Sequence, residues 1–392
     1  MTYFFILGKH PALSLAEVNA RFPEANMDSP RSEVCLLSSG EIEDPSKTIS
    51  ELGGVTKIGE ILEEGQEQEL QEKILGLLSH TPEEGKFKFG ISYYGKKKLP
   101  ISQLGMEIKK HLKEKGISSR FVTSRERTLS SVVVTQNKLT TKGAEIVIVE
   151  QEGKFLIGLT RAVQPFKQLS YRDYGRPQRD DHSGMLPPKL AQMMINLATG
   201  GRNKEQVLVD PFCGSGTVLT EARLMGFTHL IGADVSPQAV QDSQENLEWI
   251  KNRFDISTSS VDLYQQDATT ISSLVSPESV DAIVTEPYLG PQRGRMDIHN
   301  VVANLEDLYT QCLKEFQRIL KSRGRIVMIF PTFKTGKQQF TMIHPDTSGY
   351  EWVNVLPKNI KTLENDLTSR HTLLYGRPQQ KVWREIVILE KK

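Results

Sequence analysis

Val207-Leu208-Val209-Asp210-Pro211-Phe212-Cys213-Gly214-Ser215-Gly216 is an apolar run that stops on an acid and then turns through two glycines. The pattern predicts a buried parallel strand whose carboxyl end opens on a ligand crevice, as in open α/β sheets. Gly214 and Gly216 permit a tight turn and a close approach of backbone to ligand. Two other glycine loops are excluded by residue identity. A phosphate-binding P-loop carries Lys after its last glycine, where this chain has Thr217. A dinucleotide loop carries a third glycine at the position of Leu219.

Outward from this stretch the chain alternates strand-length apolar runs with helical segments. Strands are expected at His229 to Val235, Val261 to Asp267, Val280 to Pro287 and Arg325 to Phe330, with helices between them. Such alternation predicts a parallel sheet covered by helices on both faces. Glu351 to Leu356 and Val382 to Leu389 can supply the last strands, the final one antiparallel. Asp234 ends the second strand, where a carboxylate can grip two ribose hydroxyls. Ser236-Pro237 then starts a helix. Asp267 ends the third strand and can reach an adenine amine. Asp210, Asp234 and Asp267 at successive strand ends, with Phe212, Gly214 and Gly216 in the first loop, outline a nucleoside-cofactor site.

The fourth strand runs out through Thr285 into Glu286-Pro287-Tyr288-Leu289-Gly290. This resembles the motif of amino-group methyltransferases, an acid or Asn followed by prolines and an aromatic. An exocyclic base amine is a poor nucleophile because its lone pair is delocalised into the ring. Hydrogen bonds from its two N–H groups, to the Glu286 carboxylate and the Pro287 carbonyl, localise that lone pair. Tyr288 can stack on the base, which must be flipped out or unpaired to reach them. The chain departs from the pattern in carrying Glu rather than Asp and in lacking the second proline.

Arg176-Pro177, His182-Ser183-Gly184-Met185-Leu186-Pro187-Pro188-Lys189-Leu190-Ala191, Asp210 to Gly216 and the Glu286 motif together resemble the THUMP-containing tRNA guanosine N2-methyltransferases that modify position 10. Phe89 to Gly95 and Ser131 to Val134 resemble the THUMP module, and Ile6 to Glu17 the family's N-terminal extension. The resemblance implies an α/β architecture: a C-terminal Rossmann-like class I methyltransferase domain with a mostly parallel seven-stranded sheet, preceded by an α+β ferredoxin-like and THUMP region. The boundaries expected are 1–60 for the ferredoxin-like region, 61–162 for the THUMP-like module, 163–188 for a linker and 189–392 for the catalytic domain. It implies S-adenosylmethionine as cofactor, with Met185, Leu186 and Pro187 near its methionine end. It implies tRNA as partner and, for some members, a small zinc-binding activator protein. The alternatives are methylation of another base amine, such as guanine N2 in ribosomal RNA or adenine N6, and an RNA-binding relative without chemistry.

Charge is distributed unevenly although the formal net charge is +1. Glu41 to Glu84 holds twelve acids against three lysines, a balance of −9. Lys86 to Arg127 holds twelve Lys or Arg against three glutamates, a balance of +9. The second segment suggests a polyanion-facing surface. Lys96, Lys97, Lys98, Lys109, Lys110 and Lys113 are candidate phosphate contacts. Tyr171, Arg172, Tyr174, Arg176 and Arg179 read as an RNA-stacking strip, and Arg293 and Arg295 as further phosphate contacts. In this region Ser131 to Val134 is also expected as a strand. Cys35, Cys213 and Cys312 form no CxxC pair, and His182 and His371 have no metal-ligand spacing, so no metal site is expected. With no signal-peptide pattern and no apolar run of spanning length, a cytoplasmic protein is expected.

Overall fold

The structure, a computed structural model, describes residues 1–392 apart from 39–40, 79–84, 180–184, 202, 255, 257–260, 292–296, 337–339, 355, 358–359, 361–362, 364–366 and 378. His182, Ser183, Gly184, Arg293 and Arg295 therefore lie outside the described residues. The chain forms two compact units. One holds residues 1–15 and 22–166 with Ile360 and Leu363, and the other holds nearly all the rest.

The first unit contains β1 (Thr2–Leu7), α1 (Pro11–Arg21, shared with the second unit), β2 (Asn26–Arg31), β3 (Val34–Ser38), α2 (Pro45–Ser50), β4 (Val55–Gly65), α3 (Leu70–Leu77), β5 (Phe87–Tyr94), α4 (Ile101–Glu114), β6 (Ser119–Val122), α5 (Ser131–Gln136), β7 (Gly143–Gln151) and β8 (Lys154–Val163). Its strands make one mixed sheet in the order β2-β3-β1-β4-β8-β7-β5-β6. Strands from the 1–60 and 61–162 stretches are joined in it through the antiparallel β4–β8 pair. Alternation along β5 and β7 gives the sheet two apolar faces. Phe89, Ile91, Ile146 and Ile148 pack under Leu70 and Ile74 of α3 and Ile108 and Leu112 of α4. Val147 and Val149 pack on the other side with Phe4, Ile6 and Leu36. The strand expected at Ser131 to Val134 is instead helix α5. Ser130 caps it, its side chain accepting a hydrogen bond from the Val133 backbone at 3.3 Å, and the three valines are too few to override that start.

The second unit contains α6 (Phe166–Tyr174), α7 (Pro188–Thr199), β9 (Val207–Asp210), α8 (Thr217–Leu224), β10 (His229–Asp234), α9 (Pro237–Phe254), β11 (Val261–Gln265), β12 (Val280–Thr285), α10 (Ile298–Ile319), β13 (Leu320–Lys334), β14 (Phe340–Met342), β15 (Tyr350–Trp352), β16 (Leu373–Tyr375) and β17 (Val382–Lys391). Seven strands run in the order β11-β10-β9-β12-β13-β17-β15, while β14 pairs with β13 and β16 with β17. The first five are parallel, and β17 lies antiparallel to β13 over nine residue pairs. This is the Rossmann-like α/β sheet expected. Strand order reverses between β9 and β12, so the crevice of a doubly wound sheet falls at their carboxyl ends. No helix among the described residues is long and apolar enough to cross a membrane.

Candidate active site

A cavity of about 960 Å³ opens at that reversal, within the size range of small-molecule sites. Its wall includes Met185, Leu186, Asp210, Phe212, Gly214, Asp234, Asp267, Glu286, Pro287 and Tyr288. The structure thus gathers most of the residues singled out in the sequence from segments a hundred positions apart.

Asp210 sits at the end of β9, fully buried. Its Oδ1 accepts from the Thr285 hydroxyl at 2.7 Å and from the Phe212 backbone at 3.2 Å, which ties the ends of β9 and β12 together. Burial pushes its carboxyl up to about 7; those two hydrogen bonds oppose the shift, and the neighbouring charges of Asp234 and Glu286 add to it. Asp234, at the end of β10, accepts from Gly214 N at 3.0 Å through one oxygen and from Ser236 N at 2.9 Å through the other. Both oxygens are thereby oriented, and Asp234 borders the cavity.

The glycine loop is built from backbone and from α9. Gly214 and Gly216 both adopt positive φ, at 53° and 79°. A Cβ on Gly216 would meet Ser243 Oγ at 2.9 Å. Gly216 therefore lets the loop press on α9, and it is not part of the cavity wall. Ser243 donates to the Gly214 carbonyl at 2.7 Å, and Asn246 donates to the Ser215 carbonyl at 2.8 Å. These two residues, one turn apart on α9, carried no motif signal in the sequence.

Four expectations need correction. Strand β11 stops at Gln265, and Asp267 instead caps a short 3-10 turn, accepting from the Thr269 backbone and hydroxyl at 2.8 and 2.7 Å. It still reaches the cavity rim. Pro187 does not line the cavity; its carbonyl accepts from Leu190 and Ala191 at the start of α7. Arg172 and Arg176 are buried, so they are not presented to RNA. Arg172 forms a fork with Glu221 at 2.8 and 2.9 Å, and Arg176 donates to Thr217 at 2.6 Å. Helical periodicity is the reason: on α6 it turns Arg172 inward and leaves Tyr171 and Tyr174 exposed. Arg253 covers the Tyr171 ring and Arg179 covers Tyr174, with guanidinium-to-centroid distances of 5.1 and 5.5 Å.

The exit of β12 carries the Glu286-Pro287-Tyr288 motif. Tyr288 is 60% exposed at the cavity, while Pro287 and Leu289 are buried. The buried Tyr309 of α10 donates to the Tyr288 carbonyl at 3.0 Å and fixes this turn. Glu286 is gripped by Arg384 of β17, with Nε–Oε1 at 2.5 Å and Nη2–Oε2 at 3.4 Å. Burial works against the Arg384 charge, but the charge and hydrogen bond of Glu286 outweigh it and hold the guanidinium above its ordinary range. Arg384 was also missed in the sequence. The sign was a charge inside the apolar run Val382 to Leu389.

In the first unit Lys96, Lys97 and Lys98 are exposed on the turn after β5. Glu150 of β7 pins that turn by accepting from the Lys96 and Lys97 backbones at 2.6 and 3.0 Å. Lys110 and Lys113 are exposed on α4, and Lys109 is half-buried there.

The sequence matches the family described as RMKL-like, methyltransferase domain, over residues 176–355, and that described as DNA methylase over residues 72–245. It is 33% identical over 152 residues to a tRNA (guanine(10)-N2)-dimethyltransferase of Methanothermobacter thermautotrophicus, a match covering 39% of this chain and 40% of that protein. It is 32% identical over 124 residues to a probable tRNA (guanine(10)-N2)-dimethyltransferase of Methanothermococcus thermolithotrophicus, covering 31% of this chain and 72% of that one. The chain belongs to the tRNA guanine N2-methyltransferase family. Matches to three relatives of that name span only 39–49% of their lengths. TrmN from Thermus thermophilus shares the fold over 100% of both chains, with a TM-score of 0.52 at 15% identity. The cofactor of this family is S-adenosylmethionine, and the donor set fits it. Asp234 offers paired acceptors for a ribose, Asp210 a buried acceptor for a cationic end, and Met185 and Leu186 an apolar wall.

Proposed function

We propose that the protein methylates the exocyclic N2 amine of a guanosine in tRNA, at position 10. What carries the reading is one juxtaposition: Glu286, Pro287 and Tyr288 share a cavity wall with Asp210 and Asp234. The cofactor supplies an electrophilic methyl group on a sulfonium. Glu286 and the Pro287 carbonyl accept the two amine N–H groups, which turns the nitrogen lone pair toward the methyl group. Tyr288 stacks on the flipped guanine. As nitrogen gains the methyl group from the sulfonium sulfur, one amine proton leaves to Glu286 or to water, so no separate general base is needed.

Residues 1–60 and 61–162 are proposed as the ferredoxin-like and THUMP-like parts that hold tRNA, with Lys96, Lys97, Lys98, Lys109 and Lys113 on phosphates. The compartment proposed is the cytoplasm. A second reading, methylation of an adenine amine in DNA, is favoured by the match to the DNA methylase family.

The test is mass spectrometry of nucleosides from unmodified tRNA incubated with the chain and S-adenosylmethionine. N2-methylguanosine or its dimethyl form, mapped to position 10, is expected. Product from the chain alone would also dispense with a zinc-binding activator. Methylation of duplex DNA in preference to tRNA would overturn the reading.

A further inference from the structure

Resting on that reading, we infer that Arg384 is a positioning residue for Glu286, and that Glu286 Oε2 is the oxygen that receives the guanine amine.

Glutamate reaches one methylene further than the aspartate usual at this position, and the extra torsion blurs where its oxygens stand. A guanidinium fork removes that freedom because it fixes the plane of the carboxylate it holds. Here the fork is asymmetric. Nε lies 2.5 Å from Oε1, while Nη2 stands back at 3.4 Å from Oε2. Oε1 is thereby committed to Arg384, whereas Oε2 keeps its strong lone-pair positions and belongs to a residue of the cavity wall.

The same strand supplies an internal control. Glu385, the next residue, projects to the opposite face of β17 and is fully buried. It is bound by Arg370 and also accepts from the Thr372 hydroxyl at 2.5 Å. That pair is closed within the protein, whereas Arg384 carries its charge to a residue that faces the cavity. The register places it there: Arg384 stands opposite Pro331 of β13 and Tyr375 of β16. Asp210, Tyr309 and Tyr375 also lie within the field of Glu286. Arg384 is the cation paired with Glu286.

The experiment measures single-turnover methyl transfer to tRNA, with cofactor and tRNA affinities and melting temperatures, for wild type, Arg384→Gln, Arg384→Lys, Glu286→Gln and the Glu286→Gln/Arg384→Gln double variant. Arg384→Gln is expected to lower the transfer rate about a hundredfold, the scale of a 1 Å misplacement, with both affinities within about threefold. Arg384→Lys, which restores the charge without the fork, should recover about tenfold of that loss. On the Glu286→Gln background, Arg384→Gln should cost less than about threefold more, because a residue acting through Glu286 has nothing left to orient. A rate for Arg384→Gln within threefold of wild type overturns the inference, and so does a full hundredfold loss on top of Glu286→Gln. Wild-type protein that methylates no guanosine overturns the proposed function and this inference with it. That outcome differs from an active wild type with an indifferent Arg384.

Discussion

Lys57–Glu145 in the first unit and Arg384–Glu286 in the second are both cation–glutamate pairs, and the two are finished differently. In the first unit Lys57 is bonded to Glu145, and both side chains are almost wholly excluded from solvent, at 3% and 0% exposure. Lys57 also donates to the Leu129 carbonyl at 2.6 Å, and Glu145 takes further donors from Ser92 and Thr160 at 2.6 and 2.7 Å. Burial pulls the Lys57 ammonium below its ordinary range, and Glu145 works to restore it. In the second unit Arg384 and Glu286 remain 11% and 13% exposed, and Glu286 borders the cavity. A carboxylate with both oxygens held by close donors and no access to a cavity locks strands together. A carboxylate held closely at one oxygen, loosely at the other and bordering a cavity can receive a ligand. Burial and pairing alone do not separate the two; access to the cavity does.

The contrast is sharpest in stability. Lys57→Met strands Glu145 as an uncompensated buried charge, which costs about 3–5 kcal/mol. Chemical denaturation should show that loss, and adding Glu145→Leu should recover most of it, since an apolar pair of similar volume is often no worse. If Lys57→Met unfolds no more easily than wild type, the closed network is not holding the sheet. Chemistry is the next largest effect. Glu286→Gln should slow methyl transfer about a hundred- to a thousandfold, the usual loss for one oriented hydrogen-bonding group in a reaction centre. Calorimetry should find cofactor affinity changed less than about threefold. Turnover comparable to wild type would remove Glu286 from the mechanism.

How legible each pair was in the sequence follows from the range of the interactions. The β9 loop could be read because its signals are local: apolar strand, acid, two glycines, all within ten residues. Asp234 and Glu286 could be read because each ends a strand of the same parallel series. Strand β4 was not foreseen, because Lys57, Glu60, Glu63 and Glu64 break its apolar pattern. Only the tertiary partner Glu145, 88 positions away, makes a buried lysine tolerable. Arg384 is likewise joined to Glu286 across 98 positions by the β13–β17 register. Composition reads Arg172 and Arg176 as an outward strip, but the rotation of α6 turns Arg172 in and the Thr217 hydroxyl holds Arg176 past the helix end.

Asp234→Ala should weaken cofactor binding about ten- to a hundredfold, the scale of losing charge-assisted hydrogen bonds to the ribose. Because Asp234 also orders Gly214 and Ser236, a modest fall in melting temperature should accompany it. Binding unchanged in this variant would move the ribose elsewhere in the cavity.

The smallest expected effect comes from Asp210, which resembles Glu145 in burial and Glu286 in purpose. Burial favours the neutral acid and pushes its carboxyl up to about 7, against an ordinary value of 3.8. A raised carboxyl means the folded protein holds the proton more tightly than the unfolded chain. That contribution to stability is complete below the ordinary value and is lost as pH rises through about 7. Cofactor binding as proposed runs the other way, because it gives the cationic end to the ionised Asp210 carboxylate. With half-titration at about 7, about a tenth of the free protein is ionised at Asp210 at pH 6 and about nine-tenths at pH 8. Affinity for S-adenosylmethionine should therefore fall roughly tenfold from pH 8 to pH 6. Binding at pH 6 should release close to one proton, which calorimetry in buffers of different ionisation enthalpy measures directly. Asp210→Asn should flatten both dependences. An affinity level across this range in the wild type would mean that Asp210 serves its bond to Thr285, as Glu145 serves its strands, and does not receive the cofactor.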